Sequence, residues 1–186
     1  MNNLCVEEVL DLLHPLVEFW SPRDSSFDVE RMNGQDVPEP YRALLVHEGD
    51  MTPTLETFWE SSIHLDVVAR AEIHHELRRH VILRSSVGRP VAFGAIRIPL
   101  DPFPAAAQQE ILQGSAPLGA LLRRYAIPHR SEPSGFFRMT PNAMTRQAFG
   151  WTDADVHYGR HNRLSSDAGL LAEVVEILPR IEQPGR

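Results

Sequence analysis

Three stretches in the middle of the chain alternate apolar and polar residues at the two-residue period of a strand. They are IHLDVVARAEI (63–73), RRHVILRS (78–85) and PVAFGAIRI (90–98), all rich in Val and Ile. SSVGRP, between the second and third, supplies a hairpin turn. Ahead of them the pattern is helical. NLCVEEVLDLLHPLVEF (3–19) predicts an amphipathic helix interrupted at Pro15, and SPRDSSFDVERMNGQDVPEP (21–40) predicts a loop or loose arm. Short helices are expected over 40–47 and 53–61. The second opens from HEGDMTPTLETFWE, with Thr52 as N-cap, Pro53 at the first helical position and an apolar stripe of Leu55, Phe58 and Trp59. That start leaves Met51 just outside the helix, where it can act as a hydrophobic staple or as the edge of a binding surface.

Past the strands, PAAAQQEIL and PLGALLRRY predict two helices joined by QGSA, and GFFRM (135–139) a strand. TPNAMTRQAFG predicts a capped helix that stops at Gly150. VHYGRHNRLS and LLAEVVEILP then form a hairpin through SDAG. Strands in a run, then helices, then strands again describe the α+β class, with a mainly antiparallel sheet of about six strands. Residues 1–40 form an N-terminal helix and arm, 41–180 one domain, and 181–186 a tail.

Composition narrows the partners. The chain has 186 residues, 42% apolar and 23% charged, as expected of a globular domain with a real core. A net charge of -7 argues against nucleic acid as a partner, and an anionic ligand would need a locally basic pocket. The single cysteine, Cys5, excludes an internal disulfide and a cysteine-based zinc cluster, and makes the cytoplasm the simplest compartment. No signal peptide and no apolar run of membrane-spanning length is visible, so no membrane partner is expected.

No Gly-rich phosphate loop and no GxSxG elbow is present. His74, His75 and Glu76 invite a metal, but adjacent strand residues point to opposite faces and share one ion poorly. The arginines say more. Arg79, Arg84, Arg97, Arg160 and Arg163 all lie on predicted strands. Each is as readily on a solvated face as turned inward, where it would need a carboxylate from the protein or a ligand. In the last strand Leu171, Glu173, Val175 and Ile177 share one face, and Leu170, Ala172, Val174, Glu176 and Leu178 the other. Both faces are apolar apart from the glutamates. One carboxyl is therefore expected in a dry place, either as a proton donor or acceptor or in a salt bridge with a strand arginine.

The order of these pieces resembles the chorismate pyruvate-lyase family. The carriers are DMT before a helix, Arg79 opening RHVIL, GRPV…IRIP, APLG followed by a helix and RR, and YGRHNRL…GLLAEVVEILP. Together they span about residues 44 to 179. The resemblance implies a single α+β domain whose helix-turn-helix flaps close over a buried aromatic-acid site. It also implies conversion of chorismate to 4-hydroxybenzoate and pyruvate without metal or organic cofactor, that is, a carbon–oxygen lyase of aromatic acid biosynthesis. Carried over by motif, Met51 touches the bound product, Arg79 holds its carboxylate and the backbone of Leu118 borders it. At the place of the last-strand glutamate near the ring hydroxyl an ungapped count puts Val175 and a one-residue slip puts Glu176, while Glu173, on the same face as Val175, is the other candidate acid or base. Arg160 or Arg163 would meet the second carboxylate. Two rival readings stand beside the lyase. One is an enzyme of the same fold acting on another cyclic or enolic acid. The other is a non-catalytic module that binds small aromatic acids, since the sheet also resembles the ligand-sensing domains of bacterial transcription regulators.

Overall fold

Alternation of apolar and polar residues gives the chain a seven-stranded sheet. It is antiparallel throughout, in the order β1-β5-β6-β7-β4-β3-β2. The computed structural model describes residues 5–19, 28–150 and 156–181. The strands are β1 (Val29–Met32), β2 (Ile63–Ile73), β3 (Glu76–Ser85), β4 (Pro90–Pro99), β5 (Arg130–Met139), β6 (His157–Ser166) and β7 (Gly169–Leu178). Among the described residues six α-helices accompany them: α1 (Val6–Leu13), α2 (Tyr41–Leu45), α3 (Met51–Trp59), α4 (Ala105–Gln113), α5 (Leu118–Arg124) and α6 (Ala143–Phe149). The α+β class and the antiparallel sheet match expectation. The seventh strand does not, and it comes from the arm. Four residues, VERM, carry too little alternation to be read as a strand. Pairing with β5, from Val29↔Met139 to Met32↔Phe136, creates it.

The start of α3 also differs from expectation. Asp50, not Thr52, is the N-cap, with extended backbone, so Met51 is the first helical residue and is 4% exposed. Asp and Thr are comparable caps, and burying Met51 selects the earlier start. His74 and His75 are the two central residues of the β2–β3 turn, with φ of 49° and 65°. That is type I′ geometry, which points both rings outward from the hairpin end. His75 contacts Asp101 at 2.6 Å, and among the described residues no group of His, Cys, Asp and Glu side chains is placed to hold a metal.

The two faces of the sheet carry different helices. On one face Leu12 and Leu13 of α1, Leu16 in the following 3-10 turn, and Met144 and Ala148 of α6 cover Ile82, Phe93, Phe137, Val175 and Ile177. The other face holds two clusters. Leu44 and Leu45 of α2 with Met51 and Leu55 of α3 cover Leu83, Ala92 and Leu178. Ala107 and Ile111 of α4 with Leu118, Leu121 and Leu122 of α5 cover Leu77, Ile96, Ile98, Leu164 and Ala172. A cavity opens where these two clusters meet. At its floor the strands approach so closely that a Cβ on Gly94 would lie 1.8 Å from the Val175 carbonyl oxygen, so only glycine fits there.

Candidate functional site

The cavity has a volume of about 90 Å³. Its roof is Met51 at the start of α3 and Leu118 at the start of α5. Its walls include Val81, Leu83, Ile96, Leu164 and Val174, and its polar groups are Arg79, Arg160, Asn162, Glu176 and Asp50. Strand periodicity explains the selection. Arg79, Val81 and Leu83 alternate along β3, Arg160, Asn162 and Leu164 along β6, and Val174 and Glu176 along β7.

Arg79 is 2% exposed, and its Nε and Nη1 are buried without a hydrogen-bond partner among the described residues. Burial pushes its pKa down to about 10, and the Arg70 guanidinium opposite it on β2 adds repulsion. Arg70 is itself drawn aside, donating to the Leu112 carbonyl at 2.8 Å near the C-terminus of α4. Arg160 is fully buried but engaged. Its Nε donates to Glu176 Oε2 at 2.6 Å, and its Nη1 donates to the carbonyls of Leu45 and His47, both at 3.2 Å. It thereby ties β6 and β7 to the end of α2, while its Nη2 is left without a partner. Asn162 and Ser131 hydrogen-bond each other at 3.0 Å.

Of the residues singled out from sequence, Met51, Arg79, Leu118, Arg160 and Glu176 all line this one cavity. Glu173 and Arg163 do not. They lie on the opposite face, because residue 173 is out of phase with residues 174 and 176 on a two-residue period. There Glu173 pairs with Arg97 at 2.8 Å and approaches His14 at 3.4 Å and Arg163 at 3.8 Å, in a chain of surface charges that runs on to Glu76, Arg78 and Glu18. Arg84 likewise pairs with Asp66 at the surface, at 3.1 Å.

Sequence reasoning passed over Asp50 and His129. Asp50 lines the cavity, and its Oδ1 lies 3.0 Å from His129 Nε2. A short acidic residue before an apolar helix was a visible signal for Asp50, but AIPHR offers none for His129.

No family model matches the chain, and no curated protein does. Among solved structures, PhnF from Mycobacterium smegmatis is similar at a TM-score of 0.55 and 13% identity, over 75% of this chain and 71% of that one. The effector domain of PhnF from the same organism gives a TM-score of 0.53 and 13% identity, over 70% of this chain and 88% of that one. The expectation of a carbon–oxygen lyase is corrected on this ground: the solved structures that share the fold are PhnF and its effector domain, and neither is a lyase by its description. The one last-strand glutamate that reaches the cavity, Glu176, is paired with Arg160 at 2.6 Å. The likeness is one of architecture, and through it the chain has the chorismate lyase-like fold of the PhnF effector domain.

Proposed function

We propose that this domain binds a small organic monoanion, without catalysis, in the cavity beside Arg79. The observation that carries the reading is Arg79 itself, a buried guanidinium whose Nε and Nη1 find no partner among the described residues, in a largely apolar chamber. An isolated buried charge is costly, and a carboxylate delivered by a ligand would supply both the countercharge and planar acceptors. The ligand's charge follows from the second arginine. Arg160 is already matched by Glu176, so one unpaired positive charge remains at Arg79. The cavity, about 90 Å³, is smaller than the cavity of about 150 Å³ that accommodates benzene, so a single ring such as benzoate or 4-hydroxybenzoate is the upper limit of size and needs the roof at Met51 and Leu118 to give way, with the ring against Val81, Leu83 and Ile96. The unpartnered Nη2 of Arg160 is then available to a neutral oxygen on the ligand.

Titration calorimetry with benzoate, 4-hydroxybenzoate and inorganic phosphate, with benzyl alcohol as the neutral control, tests this. Benzoate or 4-hydroxybenzoate should bind the native protein more tightly than inorganic phosphate, benzyl alcohol should not bind, and Arg79→Met should lose the organic anion. Equal binding of benzyl alcohol and benzoate, or unchanged binding by Arg79→Met, would overturn the reading.

A further inference from the structure

The two roof residues of the cavity are held together by a contact that lies outside its apolar lining. Met51 and Leu118 open α3 and α5, and each sits beside one partner of a close approach: Asp50 before Met51, Gly119 after Leu118. A Cβ on Gly119 would lie 3.3 Å from Asp50 Oδ2, so the start of α5 rests almost against the Asp50 carboxylate. Asp50 occupies the N-cap position of α3, yet its side chain caps nothing. It turns instead to His129 Nε2, at 3.0 Å, while Arg123 of α5 lies 3.9 Å from its other oxygen.

His129 stands in the segment between α5 and β5, and both of its ring nitrogens face acceptors. Nδ1 is 3.1 Å from the carbonyl oxygen of Ile127, and Nε2 faces the carboxylate. Neither acceptor carries a proton to give, so both hydrogen bonds exist together only when the ring holds two protons. A neutral ring satisfies one of them and leaves the other as a contact between lone pairs.

We propose that Asp50 and His129 form a proton-dependent latch that holds α3 against the α5–β5 segment and so keeps the roof of the cavity closed. This rests on the reading of the cavity as a ligand site only for its consequence, namely slower ligand exchange when the latch is shut. The charged groups around His129 are few. Asp50 faces it from α3 and Arg123 from α5, and along the neighbouring cleft Arg130 and Asp167 pair with each other at 3.4 Å. Burial disfavours the charged ring, but the hydrogen bonds to Asp50 and Ile127 and the charge of Asp50 outweigh it, with Arg123 opposing, so the His129 pKa is raised. A raised histidine pKa contributes stability that is fully present below its ordinary value and is lost as pH rises through the raised one. The latch is therefore shut on the acid side and loosens above neutrality.

Amide hydrogen exchange on the ligand-free protein, corrected for intrinsic rates, tests the latch between about pH 6 and pH 8.5. Protection of the first hydrogen-bonded amides of α3 and α5 should fall about five-fold across that range, the equivalent of one hydrogen bond. In His129→Gln and Asp50→Asn it should be low and independent of pH; Asn is as good an N-cap as Asp, so α3 itself should persist. Constant protection in the native protein, or a native pH profile in both variants, would sink the proposal. Failure of 4-hydroxybenzoate to bind would count against the Arg79 reading and leave this exchange result to decide the latch on its own. Where 4-hydroxybenzoate does bind, its dissociation should speed up with pH in the native protein and not in His129→Gln.

Discussion

Glu173 and Glu176 stand three residues apart on β7 and face opposite sides of the sheet. Glu173 meets Arg97 at 2.8 Å on the surface of one face, and Glu176 meets the fully buried Arg160 at 2.6 Å inside the cavity on the other. Two carboxylates that look equivalent in the apolar run LLAEVVEILP therefore have unequal consequences.

Substituting each by glutamine should separate them. Glu176→Gln leaves Arg160 buried without its countercharge, and loss of one partner of such a pair costs roughly 3–5 kcal/mol. Glu173 is as little exposed as Glu176, at 15%, but its partners Arg97, His14 and Arg163 are 26–53% exposed and reach water, so Glu173→Gln should cost less, about 1 kcal/mol. Urea denaturation of the two variants reads the difference directly. Equal losses would mean that the Arg160 pair is no better protected from solvent than the surface chain.

Arg79 should be a liability to the empty protein. Its guanidinium is charged in both the folded and the unfolded chain at neutral pH, and burial without a partner lowers its folded pKa to about 10. The depressed value means that the charged form opposes folding at every pH below it. Arg79→Met keeps the length and removes the charge, so it should stabilise the ligand-free domain by about 1–4 kcal/mol while abolishing anion binding. A destabilised Arg79→Met would show that Arg79 finds a partner within the protein.

The opposite face should set the acid limit of stability. His157 is buried against Phe149, its Nδ1 has no partner, and burial pushes its pKa down to about 4, only partly offset by a hydrogen bond with the Leu178 backbone. His80 and His161 are lowered too, by burial first in each case. A depressed histidine pKa means that the unfolded chain binds more protons between the two values. Stability should therefore hold above about pH 6.5 and decline as pH falls toward 4. His157→Phe should flatten that decline in a thermal-melting series. A series with the same slope would place the acid sensitivity elsewhere. Because His129 is shifted the other way, loosening of the roof on the alkaline side should leave this global acid transition untouched.

Much of the fold was legible from the chain alone, because alternation is a local property. The strands β2, β3, β4, β6 and β7 and the helices α4 to α6 fall close to where period and caps put them. β1 was hidden, since four residues without strong β preference become a strand only by pairing with β5. The start of α3 was ambiguous because Asp50 and Thr52 are both good caps, and the burial of Met51 settled it.

The site divides in the same way. Sequence fixed the kinds of residue that matter, an arginine opening one strand and a glutamate ending another, and suggested a lyase among the possible activities. Which glutamate faces the cavity depends on which side of the sheet the α2–α5 helices cover, and no local pattern encodes that when both faces of β7 are apolar. That Arg79 finds no partner among the described residues depends on every side chain packed around it, not on its neighbours in sequence. Asp50 and His129, 79 residues apart, meet only because α3 and the α5–β5 segment close over the same sheet. Periodicity and capping act between near neighbours and are written in the sequence; countercharge and enclosure arise between distant segments, and only the packed structure decides them.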